Sequence, residues 1–246
     1  MVQARMGSTR LPGKVLADLG GRPVLGLVLA RLARAHLDQV VVATSDRPGD
    51  DAVAALAAEA GVPVVRGPEH DVLGRFVLAV DRHPADDVVR ITADCPLVDP
   101  VVVDSTLGVH RRWDADYTSN SLERTFPDGL DVEVVRSEAL RAAAADAVAG
   151  DEREHVTPFF HRHPTRFRLA SLEADEQLGH ERWTLDTAED LARLRAIVAL
   201  LDDPVTAGWH DVLAVAGVRA GPPRRLGAPP GLHFVNHPLA AGTARH

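Results

Sequence analysis

The sequence predicts an α/β fold of the Rossmann-like kind: three layers, α/β/α, around a mostly parallel central sheet. Two observations carry this expectation. Continuous β-branched runs at residues 39–44 (QVVVAT) and 88–92 (VVRIT) have the composition of strands buried on both faces. Helical segments alternate with such runs through residue 112, the order that lays strands side by side and helices over both faces. With 246 residues, 46% of them hydrophobic, the chain can bury a full core.

Residues 1–4 read as a strand end, short against the usual length of about five or six residues, so either this strand is truncated or residues precede it. A glycine-containing basic loop follows, over residues 5–14. Pro23 opens an apolar-periodic helix over 24–35. After the 39–44 strand comes an Ala-rich helix at 50–60, ended by Gly61. A short strand at 62–66, a helix at 71–82 and the 88–92 strand complete the alternation. The pattern then changes. Residues 116–119, the Pro127-Asp128-Gly129 turn and residues 130–135 read as strand, turn and strand, before a helix at 137–147 with Ser137 as its N-cap. A helical stretch at 152–162 and a strand at 167–171 complete an inserted hairpin and helix element spanning about 115–180. Residues 182–185 read as the last strand. Residues 187–200 read as the last long helix, started by a capping pair, Thr187 and Asp190. Residues 1–201 thus form one domain, and 202–246 a loosely packed Gly/Pro-rich extension.

Charge and composition narrow the function. A net charge of −8 argues against a general nucleic-acid binder. The first 22 residues run the other way, with Arg5, Arg10, Lys14 and Arg22 against Asp18 alone. A positive island in an acidic chain suits a small anion. Cys95 is the only cysteine, so an intrachain disulfide is impossible and a cytoplasmic setting is expected. No apolar run reaches the roughly 18 residues of a spanning helix, so no membrane partner is expected.

The loop Arg5-Met6-Gly7-Ser8-Thr9-Arg10-Leu11-Pro12-Gly13-Lys14 concentrates three cations, two glycines and two hydroxyls. Lys14 is the only lysine of the chain, although Lys and Arg together number 27. A compact ammonium is a point charge where a guanidinium is a rigid fork, so a lone lysine marks a place that needs the former. Gly7 and Gly13 would let backbone N–H groups approach an anion. The spacing is not that of a P-loop: five residues separate the glycines and Val15 follows Lys14, leaving no hydroxyl for a metal. Asp94 lies two residues beyond a buried strand, at the carboxyl edge where open α/β sheets bind ligands. It reads either as a Mg²⁺ ligand or as the N-cap of the next helix. Asp186, just past residues 182–185, carries the same pair of readings, and two such aspartates near one anion loop suit metal-assisted phosphoryl or nucleotidyl transfer.

The loop, together with Thr92-Ala93-Asp94-Cys95-Pro96-Leu97, Gly129-Leu130-Asp131-Val132-Glu133, Arg153-Glu154-His155-Val156-Thr157-Pro158 and Leu185-Asp186-Thr187-Ala188-Glu189-Asp190-Leu191, resembles the acylneuraminate-type cytidylyltransferase family. The likeness is greatest to its spore-coat polysaccharide biosynthesis protein F branch, and covers roughly residues 2–200 in order. The resemblance implies Mg²⁺-dependent transfer of CMP from CTP to a small-molecule acceptor, a sugar acid or related compound, by a homodimer. Nucleotide contacts are then expected from Arg5, Gly7, Ser8, Thr9, Arg10, Lys14, Thr44, Asp46, Arg75 and Thr92. It further implies metal ligation by Asp94 and Asp186, acceptor contacts from Asp131, Glu133 and His155, and catalytic roles for Arg10, Lys14, Asp94 and His155. His155 reads equally well as a structural histidine of an amphipathic helix.

Overall fold

The computed structural model describes residues 1–217 and 233–236. In chain order the elements begin with β1 (Val2–Gln3), a 3-10 turn (Lys14–Leu16), a short hairpin of β2 (Asp18–Leu19) and β3 (Arg22–Pro23), and α1 (Val24–Leu32). Next come β4 (Val42–Ser45), α2 (Asp51–Glu59), β5 (Val64–Gly67), α3 (Val72–Arg82), β6 (Asp87–Thr92) and α4 (Pro100–Arg112). The second half holds β7 (Tyr117–Ser119), β8 (Glu133–Arg136), α5 (Ser137–Asp146), α6 (Gly150–His155), α7 (Pro158–Arg162) and β9 (Leu169–Glu173). Then follow α8 (Ala188–Val198), α9 (Trp209–Val215) and β10 (His233–Asn236).

One sheet runs in the order β10-β9-β7-β8-β6-β1-β4-β5. The half built from the first part of the chain, β5-β4-β1-β6, is wholly parallel. Strand β8 reverses direction against both β6 and β7, β9 lies parallel to β7, and β10 antiparallel to β9. The predicted insert therefore extends the central sheet. Burial alternates across it: Val89 and Ile91 of β6 face one apolar cluster with α1, α4 and α8, while Val88 faces a second with α3, α5 and α7. That is the expected three-layer arrangement.

Several boundaries depart from the sequence reading. Helix α1 stops at Leu32, and Pro23 is an extended residue that precedes it and pairs with Asp18. Ser137 is not an N-cap. Its hydroxyl donates to the Ala85 carbonyl and its N–H to Asp86, tying α5 to the turn before β6. Residues 182–185 form no ladder strand: Trp183 N–H donates to Asp128 and Leu185 N–H to Asp94. They cross the sheet edge as an extended segment whose buried Trp183 and Leu185 mimic strand alternation. The 152–162 helix is broken at Val156, whose φ of 70° and ψ of −54° make a γ-turn closed by Thr157 N–H on the His155 carbonyl.

The chain beyond 202 is packed as far as it is described to Gly217; residues 218–232 and 237–246 of the expected extension lie outside the described residues. Trp209 is buried against Phe126, with ring centroids 5.6 Å apart. Its N–H donates to Asp99, whose other oxygen caps α4. Trp209→Ala should lower the unfolding free energy by about 3 kcal/mol, read as a fall in denaturant midpoint. An unchanged midpoint would show that this helix adds nothing to the core.

Candidate functional site

Loop 5–14 leaves the carboxyl end of β1 and folds back on itself. The Met6 carbonyl accepts from both Ser8 and Gly13 N–H groups, and Gly13 takes a left-handed φ of 74° to allow it. Gly13 thus closes the loop and does not aim its N–H at a ligand, a correction to the sequence reading. The loop is anchored beneath by Asp50, nearly fully buried, which accepts from Met6 N–H at 2.6 Å and from the Ser45 hydroxyl. Position 50 reads in sequence only as a helix start. Its use as an anchor depends on a contact 44 residues away.

The loop walls a cleft of about 420 Å³ at the carboxyl edge of the sheet. Of the sequence-predicted residues, Arg5, Gly7, Ser8, Thr9, Arg10, Lys14, Thr92, Asp94, Asp131, His155 and Asp186 line it. Thr44, Asp46, Arg75 and Glu133 do not. A larger cleft, about 490 Å³, opens at the opposite edge beside Met1, Asp87 and Arg111. The converging cations and carboxylates lie at the carboxyl edge, where open α/β sheets place ligands, so size does not decide between the two.

The centre of the cleft is an ion cluster. Lys14 Nζ donates to Asp94 Oδ2 at 2.8 Å, to Asp186 Oδ1 at 2.9 Å and to the Leu185 carbonyl at 2.7 Å. Arg10 also reaches Asp186 Oδ1, at 2.9 Å, and Arg182 holds its other oxygen. Burial pushes the Asp186 carboxyl up, but hydrogen bonds and charge from Lys14, Arg182 and Arg10 outweigh it, holding it below the usual carboxylate range. Lys14 is shared with Asp94, and Arg182 with Asp128 and Asp190, whereas Arg10 pairs with Asp186 alone among the described residues and is largely exposed. The loop side of the cluster is therefore where an anionic ligand finds positive charge. Neither aspartate is a helix N-cap, since Asp99 caps α4 and Thr187 caps α8. Among the described residues no three His, Cys, Asp or Glu side chains converge as a metal cage. Two carboxylates beside an anion loop nevertheless match Mg²⁺, which keeps waters and shares substrate phosphates.

Arg182 was missed by the sequence reading. From Asp186 it reaches Asp128 at 2.5 Å, and Arg124 continues the chain to Asp131 through two bonds of 2.9 Å. The only sequence sign of this string is the spacing of four between Arg182 and Asp186, which a strand assignment hides. At the other end of the cleft α6 brings His155 to the wall, and Glu154 to Arg5 at 2.9 Å. Val156, β-branched and fully buried at positive φ, holds local strain directly after His155.

Glu133 stands behind the cleft. Opposite it in the antiparallel register is Arg90, which donates to its carboxylate, and Tyr117 donates to the other oxygen at 2.7 Å. Burial pushes Glu133 up, and the Arg90 charge with bonds from Tyr117 and Thr157 overcomes this, so its carboxyl lies below the usual range. A depressed folded pKa gives stability that is present above the unfolded value, about 4.3, and lost as pH falls through the folded one. Glu133→Gln should therefore cost about 3 kcal/mol at neutral pH by leaving Arg90 uncompensated, with a smaller deficit in acid, read from denaturation curves at both pH values. An equal deficit at each would contradict the pairing. Arg75 is fully buried near Arg5, and all three of its guanidinium nitrogens lack a hydrogen-bond partner.

A parallel α/β core with a folded-back basic loop facing two edge carboxylates is the architecture of a nucleotidyltransferase. The sequence profile of the cytidylyltransferase family matches residues 1–200. The spore coat polysaccharide biosynthesis protein SpsF of Bacillus subtilis is 36% identical, over 80% of this chain and 84% of that protein. The 3-deoxy-manno-octulosonate cytidylyltransferase of Rhodospirillum centenum is 30% identical, over 94% of this chain and 96% of that one. A cytidylyltransferase structure from Leptospira borgpetersenii superposes with a TM-score of 0.84 at 30% identity, covering 88% of this chain and 92% of its own. The chain belongs to the cytidylyltransferase family and is a nucleotidyltransferase enzyme that uses CTP. No helix among the described residues is long and apolar enough to cross a membrane.

Proposed function

We propose that the carboxyl-edge cleft transfers CMP from CTP to a hydroxyl of a small sugar-acid acceptor, releasing pyrophosphate with the help of Mg²⁺. The observation that carries this reading is the meeting of Lys14 and Arg10, from the loop, with Asp94 and Asp186, from two separate edge segments. Arg10, Lys14, Ser8 and Thr9 hold the triphosphate, with Gly7 beside them in the cleft wall. Fixed cations there stabilise the charge that builds on a pyrophosphate leaving group. Asp94 and Asp186 would hold Mg²⁺, whose chemistry is Lewis-acid activation of the phosphate. The nucleoside lies toward Arg5 and Thr92, with the unpartnered Arg75 behind. The acceptor lies toward Asp131 and His155, and the His155 imidazole takes the proton of the attacking hydroxyl. Support for a sugar-acid acceptor comes from the 3-deoxy-manno-octulosonate enzyme named above.

The test is to incubate the protein with each of the four ribonucleoside triphosphates, Mg²⁺ and a panel of acidic and neutral sugars. Pyrophosphate release that needs both CTP and an acidic sugar is expected. Release with no pairing, or with another nucleotide in preference, would sink the reading.

A further inference from the structure

We infer that Lys14 is the resident cation of the Asp94–Asp186 site, and that it yields this place to a divalent metal only when a nucleoside triphosphate is present to receive the ammonium. The inference rests on the metal-assisted CTP reading of the cleft. An ammonium has three N–H donors, and all three of Lys14 are committed, to Asp94 Oδ2, Asp186 Oδ1 and the Leu185 carbonyl. None remains for a phosphate. Lys14 cannot hold a triphosphate and this site at once, so one of the two contacts must be given up.

The acceptors around Nζ are two carboxylate oxygens and one carbonyl oxygen, hard donors of the kind a divalent cation takes. They are also held independently of Lys14. Arg182 grips the second oxygen of Asp186, and the Asp186 N–H donates to Asp190 at 2.9 Å. Leu185 N–H donates to the Asp94 carbonyl at 2.8 Å, fixing the spacing of the two segments. The donor set therefore persists when the ammonium leaves. The lysine itself is the movable member: a flexible stem rooted beside the left-handed Gly13, in the same loop as Ser8 and Arg10.

Charge decides when the exchange occurs. Lys14 pairs with both Asp94 and Asp186, while Arg182 is engaged by Asp128 and Asp190 as well. A divalent cation entering alone must strip an ammonium of both its carboxylates, and the balance favours the resident lysine. A triphosphate reverses that balance and offers Lys14 new acceptors. Metal and nucleotide then raise one another's affinity by the same factor, as linkage requires. Lys14 accordingly has opposite effects on its two ligands: it weakens metal binding in the free protein and strengthens nucleotide binding.

Because Lys14 is the only lysine of the chain, lysine-selective ¹⁵N labelling, with a lysine-free tag, yields one side-chain ammonium resonance. It should be observable in the free protein, stay in place with millimolar Mg²⁺ alone, and shift when CTP and Mg²⁺ are added together. In parallel, Mn²⁺ binding by electron paramagnetic resonance should be at least about ten-fold tighter for nucleotide-free Lys14→Met than for wild type, since a competing charge has been removed at contact distance. The same variant should bind CTP more weakly. Lys14→Gln serves as a second uncharged variant should the first fold poorly by circular dichroism. Unchanged or weaker Mn²⁺ binding in the folded variants, or an ammonium signal unmoved at saturating CTP and Mg²⁺, would overturn the exchange while leaving the CTP reading intact. Failure of the wild-type protein to bind CTP with Mn²⁺ would remove the CTP reading, and this inference with it.

Discussion

Lys14→Ala is expected to lower kcat/KM for CTP by ~10²–10³-fold, or ~3–4 kcal/mol of transition-state stabilisation, the usual cost of one donor aimed at developing charge. The side chain is only 11% exposed and touches both carboxylates of the site. Its loss removes a cation from the phosphate end and leaves Asp94 and Asp186 facing each other. Lys14→Arg should not restore the rate, because a bulky planar fork does not replace a compact point charge that must move between the two carboxylates and a phosphate. Steady-state pyrophosphate release measures the effect, with the thermal midpoint as control for folding. A folded Lys14→Ala protein within ten-fold of wild type would remove Lys14 from the chemistry.

Gly129→Ala should be among the more damaging single-methyl additions at the described residues. Gly129 sits at a φ of 113°, and a Cβ there would lie 2.6 Å from the Trp183 carbonyl carbon and 2.8 Å from the Thr184 nitrogen. Both are backbone atoms of the segment that carries Arg182 and Asp186 to the cleft, so no side chain can swing aside. Backbone strain of ~1–3 kcal/mol and overpacking of similar size combine to between about 2 and 6 kcal/mol. The variant should show a lowered thermal midpoint and a loss of nucleotide binding, because Asp186 moves with Trp183. A soluble Gly129→Ala protein with wild-type midpoint and CTP affinity would contradict the close crossing of the two segments.

Local chemistry made much of the fold and part of the site legible in the sequence. The β-branched runs of β4 and β6, the Thr187–Asp190 capping box and the Gly61 helix stop depend on neighbours in sequence, and the structure keeps all three. So does the basic loop with its lone lysine. What stayed hidden depends on register and on distant contacts. Glu133 was expected at the acceptor pocket, but the antiparallel register sets it opposite Arg90, and a buried carboxylate satisfies that guanidinium instead. Arg182 and Asp128 are 54 residues apart, and no period in the chain links them. Trp183 and Leu185 imitate a strand because a segment crossing a sheet edge buries alternate side chains as a strand does. Helix α9 was masked by the Pro and Gly content that follows it, and β10 by the same surroundings.

If the cleft directs an acceptor hydroxyl to the α-phosphorus of CTP, the new bond forms there and pyrophosphate leaves. Phosphorus NMR of a reaction mixture containing the protein, CTP, Mg²⁺ and an acidic sugar tests it most directly. A new phosphodiester resonance should grow in step with pyrophosphate, and neither signal should arise in Asp94→Asn. Orthophosphate and CDP in place of these would place attack at the γ-phosphorus and contradict it.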